Sequence, residues 1–256
     1  MKVFEYRSAK ALEPFVKAIK IIESLEEIQN RVLPGASIAM AFCFSGQNSY
    51  TMNSERIILP KAIISGLRKS VRLINYSQNT STLIVLFKEN GASTFFKEPL
   101  YGLFEKSVLL DHIVNPNDVR NVEEMLCEAK CNLQRVKIVE QFLLKRLINP
   151  NPDMLISSAV AQIQEAKGHI KINRLADSLH ISNDAFEKRF RRNIGSSPKQ
   201  FASITRMSAI IPLKAKGQLL DIAFDAGFYD QAHFNKDFKL FTGQTPTEFY
   251  KSASFW

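Results

Sequence analysis

The sequence predicts an α+β protein with a strand-rich amino-terminal domain, barrel-like or sandwich-like, a helical connector, and an all-α carboxy-terminal domain with two helix-turn-helix units. Three observations lead to this fold class. Apolar side chains alternate with a period of two in the first part of the chain, they recur at helical spacing after residue 115, and one helical pattern occurs twice near the end. The predicted boundaries are 1–115, 116–151 and 152–256.

Strands are predicted where apolar residues alternate or form short runs. In the clearest strand, Ser37 to Phe44, every second residue from Ile38 onward is large and apolar, so these side chains share one face. Further strands are expected at Val71 to Tyr76, Thr82 to Phe87, Phe15 to Ile22 and Lys61 to Ser65. Thr82 to Phe87 is apolar enough to be buried on both faces. Such a succession of strands favours an antiparallel barrel or sandwich.

Helical spacing replaces this alternation beyond Gly91. Short helices that pack on the sheet are expected around Phe95 to Phe104 and from Val108 to Val114, and Asp118 is expected to cap a longer helix. An apolar stripe from Leu133 to Leu147 marks the next helix, which must bury that stripe on its own domain or against a partner. Asn149 to Asp153, with two prolines, reads as the interdomain linker.

Composition and charge indicate a folded protein with a polyanionic partner. The chain is 45% hydrophobic and 23% charged, with a net charge of +9. Thirteen Lys/Arg and eight Asp/Glu lie from residue 169 onward, so more than half of the positive excess falls in the final third. No apolar run reaches the ~20 residues of a membrane helix. The first ten residues also lack an apolar signal core, and we therefore expect a cytoplasmic protein without a membrane partner.

Cysteines and histidines give little support to catalysis or metal binding. Three cysteines without a framework of spacings argue against disulfides; Cys127 and Cys131 would suit a metal or an oxidant sensor, but small buried hydrophobic side chains are the favoured interpretation. His112 is the only histidine before His169, which leaves too few ligands for a metal site on neighbouring strands. Sequence motifs of common enzyme classes are also absent. We expect no enzymatic activity, no cofactor and no metal.

The segment from Ile222 to Lys251 contains all the helix start and stop signals of a helix-turn-helix. Ile222 and Ala223 close a short helix, Gly227 allows the chain to reverse through a positive φ, and Asp230 caps the next helix. Gly243 and Pro246 mark the end of that helix and the start of another. The apolar face of the middle helix consists of Phe234, Phe238 and Phe241. Its opposite face carries Gln231, His233, Asn235, Lys236 and Lys239.

The same pattern occurs once more, 48 residues earlier. Phe186, Phe190, Gly195, Pro198 and Phe201 correspond to Phe234, Phe238, Gly243, Pro246 and Phe249. A repeat at a fixed offset is strong support for two structural copies. The motifs A-x-x-x-G-F, F-x-R-x-F-K and G-x-T-P-x-x-F/Y, within about the last hundred residues, resemble those of the DNA-binding domain of AraC/XylS-family transcriptional regulators.

Two residues depart from the family pattern. Lys236 replaces the arginine of F-x-R-x-F, which keeps the charge but loses the bidentate fork that binds guanine. Pro212 falls within the helix expected from about Ile204 to Lys216, where it kinks or ends that helix between the two units. A second resemblance, to the sensor segments of such regulators, rests on Leu86-Phe87 through Gly91 to Phe95-Phe96.

The resemblance implies a sequence-specific DNA-binding transcriptional regulator that inserts helices at about 182–192 and 230–241 into successive major grooves of double-stranded DNA. The residues expected at base edges are Asp184, Glu187, Lys188, Gln231, His233, Asn235 and Lys236. Those expected at phosphates are Ser182, Arg189, Arg191, Arg192, Lys239 and Thr245, the last through free amides at a helix start. Asp184 and Glu187 also fit a solvated helix face, and His233 also fits half-buried packing.

Two hypotheses remain open for the amino-terminal half. In the first, a small-molecule effector binds at a site that the sequence does not identify and biases domain arrangement or dimerisation. In the second, this half is a protein-interaction module without a ligand, and the stripe from Leu133 to Leu147 forms a homodimer surface. RNA polymerase is a further expected partner if the chain is an activator. A basic tail that serves RNA or binds DNA without sequence preference is disfavoured by the duplicated motif.

Overall fold

The computed structural model describes residues 1–52, 55–148, 150–212, 224, 227–228 and 230–251. Ten strands lie in this part of the chain: β1 (Lys2–Tyr6), β2 (Val16–Ser24), β3 (Ile28–Val32), β4 (Ala39–Ser45), β5 (Asn48–Met52), β6 (Glu55–Ile58), β7 (Ala62–Ser65), β8 (Arg72–Tyr76), β9 (Thr80–Phe87) and β10 (Ser107–Leu109). They form a six-stranded sheet in the order β1-β2-β9-β4-β7-β10 and a four-stranded sheet in the order β3-β8-β5-β6. The expected strand-rich amino-terminal half is confirmed, as two antiparallel sheets rather than one closed sheet.

The main core lies on the six-stranded sheet. Met40 of β4 pairs with Val85 of β9, and both side chains are fully buried. All five predicted strands are present within a few residues of the expected positions, but β9 buries one face and only half-buries the other. The helix predicted from Val108 to Val114 is wrong, because Val108 pairs with Ile64 of β7 at the edge of the sheet and only Leu110–His112 forms a 3-10 turn.

Two helices, α1 (Pro116–Glu128) and α2 (Asn132–Lys145), cover the six-stranded sheet. The ring of Phe142 in α2 meets that of Phe42 in β4 edge to face, with centroids 6.1 Å apart. The N-cap of α1 is Asn115, whose side chain accepts from the backbone of residue 117 at 2.9 Å, so the expectation of Asp118 as the cap is wrong. An asparagine directly before a proline at the first helical position is the better capping geometry.

The apolar stripe of α2 packs on its own domain. Its central members are buried in the core, Leu147 is partly buried against it, and Leu133 is exposed. The central members are Val136, Val139 and Leu143. The stripe is therefore not available as the homodimer surface considered above.

The cysteines differ from the expectation. Cys43 is buried. Cys127 and Cys131, for which burial was the favoured interpretation, are exposed, since one lies near the end of α1 and the other precedes the first turn of α2. Within the described residues there is no cluster of three or more His, Cys, Asp or Glu side chains suited to a metal ion. No helix in the same part of the chain has the length and apolar content to span a membrane.

In the described part of the chain six helices follow the linker: α3 (Met154–Glu165), α4 (Ile172–Ser178), α5 (Asn183–Ile194), α6 (Pro198–Ile210), α7 (Gln231–Thr242) and α8 (Pro246–Lys251). The expected helical carboxy-terminal part is confirmed. Helix α6 ends at Ile210, two residues before Pro212, as the missing amide hydrogen and the ring of a proline require. The remainder of the expected joining helix, beyond Pro212, lies outside the described residues, as do Ile222 and Ala223.

Candidate nucleic-acid interface

The second helix of each predicted unit begins and ends in the same way, 48 residues apart. Ser182 caps α5 by accepting from the Ala185 amide at 3.4 Å, and Asp230 caps α7 by accepting from the His233 amide at 2.7 Å. Both helices end on a glycine in the left-handed region, with φ of 88° at Gly195 and 79° at Gly243. A residue with a Cβ would be strained at both helix ends. These glycines therefore fix where α5 and α7 end; the two helices are called the reading helices below.

Phenylalanine rings connect each of these helices to the next. In the first unit the ring centroids of Phe186 and Phe190, and of Phe190 and Phe201, are both 5.6 Å apart. In the second unit the equivalent distances are 5.5 Å for Phe234 and Phe238 and 5.3 Å for Phe238 and Phe249. All are edge-to-face contacts between rings that are at most 5% exposed. Each set of contacting rings is called a phenylalanine ladder below. The two ladders keep the opposite, polar faces of α5 and α7 directed outward.

The helix that follows each reading helix begins with a capping box. In the first unit Ser197 and Gln200 exchange hydrogen bonds, and in the second the Thr245 amide donates to the Glu248 carboxylate at 2.8 Å. These hydrogen bonds, backbone first, lower the pKa of Glu248 and keep it charged. The expectation that Thr245 offers a free amide to phosphate is therefore wrong, because the amide is occupied and a negative charge stands beside it.

The outward face of α5 carries the predicted residues, but several already have partners. Asp184, Glu187 and Lys188 are exposed, and Glu187 pairs with Arg191 one turn later at 2.8 Å. Arg189 donates from Nε and Nη2 to both carboxylate oxygens of Asp153, and this hydrogen bond raises the pKa of the guanidinium. In this structure Arg189 thus holds α5 to the start of α3 instead of pointing freely to solvent.

Two positively charged side chains of α5 have no ion-pair partner among the described residues. Lys188 and Arg192 are exposed and form no ion pair with any residue that the structure describes. Ser182, one of the expected phosphate contacts, is exposed as well, although its hydroxyl oxygen caps α5. Its hydroxyl hydrogen is still available as a donor.

Helix α7 presents a similar outward face. Gln231, Lys236 and Lys239 are exposed and Asn235 is half-buried. The ring of His233 lies 5.4 Å from that of Phe228, and its Nε2 lies 3.4 Å from Asp237. The His233 side chain is nevertheless 53% exposed, so it is not half-buried and its position at the DNA-facing surface stays a prediction.

The two units contact each other through residues that the sequence motifs did not identify. The Arg206 guanidinium of α6 stacks 4.3 Å above the Phe228 ring of the second unit, and burial lowers the pKa of Arg206. The Tyr250 hydroxyl donates to the Ile210 carbonyl at 3.3 Å. The sequence signal for this cation–π contact is a basic residue in the helix that joins the two units, combined with an aromatic residue in the turn of the second unit.

The reading units also touch the amino-terminal domain. The Asn90 side chain donates to the Asp153 carbonyl at 3.1 Å and to the Ser157 hydroxyl at 3.0 Å, and α5 packs against the 3-10 turn Leu100–Leu103. At the other unit, the Val71 amide donates to the Leu240 carbonyl of α7 at 3.3 Å. Each reading helix is therefore in contact with the domain whose sequence resembles a sensor.

Family models match both halves of the chain. A model described as a helix-turn-helix domain matches residues 175–252, and a domain of unknown function (DUF6597) matches residues 4–108. An uncharacterized HTH-type transcriptional regulator of Haemophilus influenzae is 32% identical over 119 residues, 46% of this chain and 39% of the relative. The arabinose operon regulatory protein of Salmonella typhimurium is 26% identical over 127 residues, 46% of this chain and 45% of the relative. The carboxy-terminal region is a helix-turn-helix domain of the AraC type, similar to those of these regulators.

The chain spans less than half the length of these two curated relatives. Both of their names describe regulators rather than enzymes, in agreement with the prediction made from the absence of catalytic motifs. Among solved structures, an apo form of a ToxT variant from Vibrio cholerae is 14% identical, with a TM-score of 0.46 and coverage of 97% of this chain and 100% of that chain. The residues matched by the helix-turn-helix model include both α5 and α7.

Proposed function

We propose that this chain is a cytoplasmic transcriptional regulator that reads double-stranded DNA with α5 and α7, placed in successive segments of the major groove. The observation that carries the proposal is the duplicated reading unit, in which the same caps, glycines and phenylalanine ladder recur 48 residues apart. In the same proposal, residues 1–115 form the sensing part, 116–151 the connector and 152–256 the reader.

Base reading is assigned to the exposed and half-buried polar residues in the first half of each reading helix. Gln231 is the strongest candidate, since its amide can pair with adenine in two places, and Lys236 and Asn235 follow on the same helix. On α5 the exposed Lys188 follows Asp184 and Glu187, whose carboxylates accept from cytosine but repel phosphate. The exposed His233 belongs to the same group.

Phosphate binding is assigned to the exposed cations that follow. Arg191, Arg192 and Lys239 lie in the second halves of the reading helices, and Ser182 stands at the start of α5. Each neutralised phosphate contributes to affinity through counterion release and carries no sequence information. Because the two readers are tethered, contacts of moderate strength in each unit suffice for specific binding by the whole.

A DNA sequence selected from a random pool by the full-length chain gives the test. We expect Gln231→Ala to lose discrimination at one base position, by roughly 1–3 kcal/mol, and Lys239→Ala to weaken all sequences alike. Lys137→Ala, which removes an exposed cation of α2, is the matched control and should bind as the parent does. Selection of no common sequence, or equal loss in the control, would remove the proposal.

Control by a small molecule is the form of regulation that we favour for the amino-terminal half. Contacts from this half reach both reading helices, through Leu100–Leu103 at α5 and through Val71 at α7, so a change in the sheet domain has a route to each reader. The rival hypothesis of a ligand-free interaction module loses its expected surface, since the stripe of α2 is buried. If the full-length chain forms a homodimer, we expect a surface other than this stripe to form the interface. Light scattering measures the mass and so distinguishes a monomer from a dimer.

A further inference from the structure

Two arginines that are not among the residues assigned to DNA lie close together in the amino-terminal domain. Arg68 precedes β8 and Arg72 begins it, and both side chains are partly buried. The Nε atom of Arg68 is enclosed and has no hydrogen-bond partner, and Arg68 forms no ion pair with any described residue. An enclosed cationic donor without an acceptor is costly unless something else supplies the acceptor.

The neighbours of this pair do not neutralise it. The Arg72 guanidinium stacks 4.4 Å from the centre of the Tyr50 ring, and its Nη1 donates to the Ser107 hydroxyl at 2.6 Å. Glu105 is the carboxylate whose charge reaches both arginines, but its oxygens accept from the Lys69 amide at 2.7 Å and the Ser70 hydroxyl at 3.4 Å. It pairs with neither guanidinium within the described residues.

The electrostatics of the pair agree with this geometry. Burial, and then the charge of Arg72, lower the pKa of Arg68 to about 10, so the protonated guanidinium is held at a cost even beside Glu105. Two positive charges face one carboxylate in a partly dehydrated place. A second negative charge would relieve both the desolvation and the repulsion.

We propose that Arg68 and Arg72 bind a small oxyanion, a carboxylate or a phosphate group, at the start of β8, an inner strand of the four-stranded sheet. Planar guanidinium groups bind such anions through paired hydrogen bonds, and the Ser107 and Tyr50 side chains line the same place. This assigns a chemical class to the effector of the amino-terminal half.

The segment between the two arginines touches the second reading helix. Val71 donates its amide hydrogen to the Leu240 carbonyl at 3.3 Å, and its Cγ1 lies 3.1 Å from where a Cβ at Gly243 would stand. Carbonyls in the last turn of a helix have no partner within the helix, so Val71 caps the end of α7. An anion that fixes Arg68 and Arg72 therefore fixes the cap of α7; this consequence rests on the proposed DNA-reading function, whereas anion binding does not.

Calorimetric titration of the full-length chain tests the site. Sodium phosphate and sodium acetate are titrated separately against sodium chloride of equal ionic strength, and the arm that saturates identifies the anion. We expect saturable binding in at least one arm, weakened roughly tenfold or more by Arg68→Gln and by Arg72→Gln. Lys69→Gln, an exposed cation of the same segment, is the matched control and should leave the affinity unchanged.

Absence of saturation in both arms, or equal affinity in the parent and the two glutamine variants, overturns the proposal. If a glutamine variant loses its circular dichroism spectrum, Arg72→Lys replaces it, since lysine keeps the charge and loses the planar fork; an unchanged affinity in that variant also counts against the site. DNA titration with and without the saturating anion then separates the two claims. Anion binding without any change in DNA affinity overturns the link to α7, and loss of DNA binding altogether overturns the proposed function alone.

Discussion

Replacement of Phe238 by leucine is a quantitative test of the phenylalanine ladders. Phe238 contacts three rings, at 5.5 Å (Phe234), 5.3 Å (Phe249) and 5.8 Å (Tyr250), whereas Phe190 in the first unit contacts two, Phe186 and Phe201, both at 5.6 Å. Leucine keeps much of the apolar volume and loses the ring geometry. An aromatic pair contributes about 0.5–1.5 kcal/mol beyond its buried area, so we expect Phe238→Leu to cost about 1 kcal/mol more than Phe190→Leu.

Urea unfolding of both variants and the parent, followed by circular dichroism, measures this difference in the free energy of unfolding. Phe190→Leu is the matched control because its side chain has the same burial and the equivalent position. Equal costs, or a larger cost for Phe190→Leu, would refute the idea that ring-to-ring contacts hold the second reading helix more strongly than the first.

Three further expectations concern charge and exposure. Asp153→Asn should release Arg189 from its two-pronged contact, and the slope of log affinity for DNA against log salt should then steepen by about 0.9, as for one added phosphate contact. The pKa of Glu248 lies below its ordinary value of 4.5, so the stability it adds is present above pH 4.5 and is lost as the pH falls further; thermal unfolding of Glu248→Gln should lack that loss. Cys127 and Cys131 should react with a thiol reagent in the native chain, whereas Cys43 should react only after unfolding. A count of one or three rapidly reacting thiols would contradict the observed burial.

Features that depend on neighbouring residues in the sequence were predictable. Ser182, Asp230, Gly195 and Gly243 follow rules of helix capping that act within a few residues, and the structure places them at the ends of α5 and α7. The phenylalanine ladders follow from helical spacing combined with the repeat. The ends of the two reading helices and their apolar faces could therefore be predicted from the sequence.

Features that depend on distant residues were not predictable in the same way. The contact of Arg189 with Asp153 joins residues 36 positions apart, and nothing in either local sequence indicates it. The amide of Thr245 was expected to be free because the helix start was considered without the side chain of Glu248 three residues later. Short strands such as Ser107–Leu109 exist because β7 offers them an edge, which a local pattern does not show.

Hydroxyl-radical footprinting of the full-length chain on its selected DNA sequence tests the central claim most directly. Two tethered readers predict two protected segments on one face of the duplex, with centres about one helical turn, roughly 10 base pairs, apart, and Phe238→Leu should weaken the segment read by α7 first. A single protected segment of one half-site, or two segments on opposite faces, would contradict the claim that α5 and α7 read DNA together.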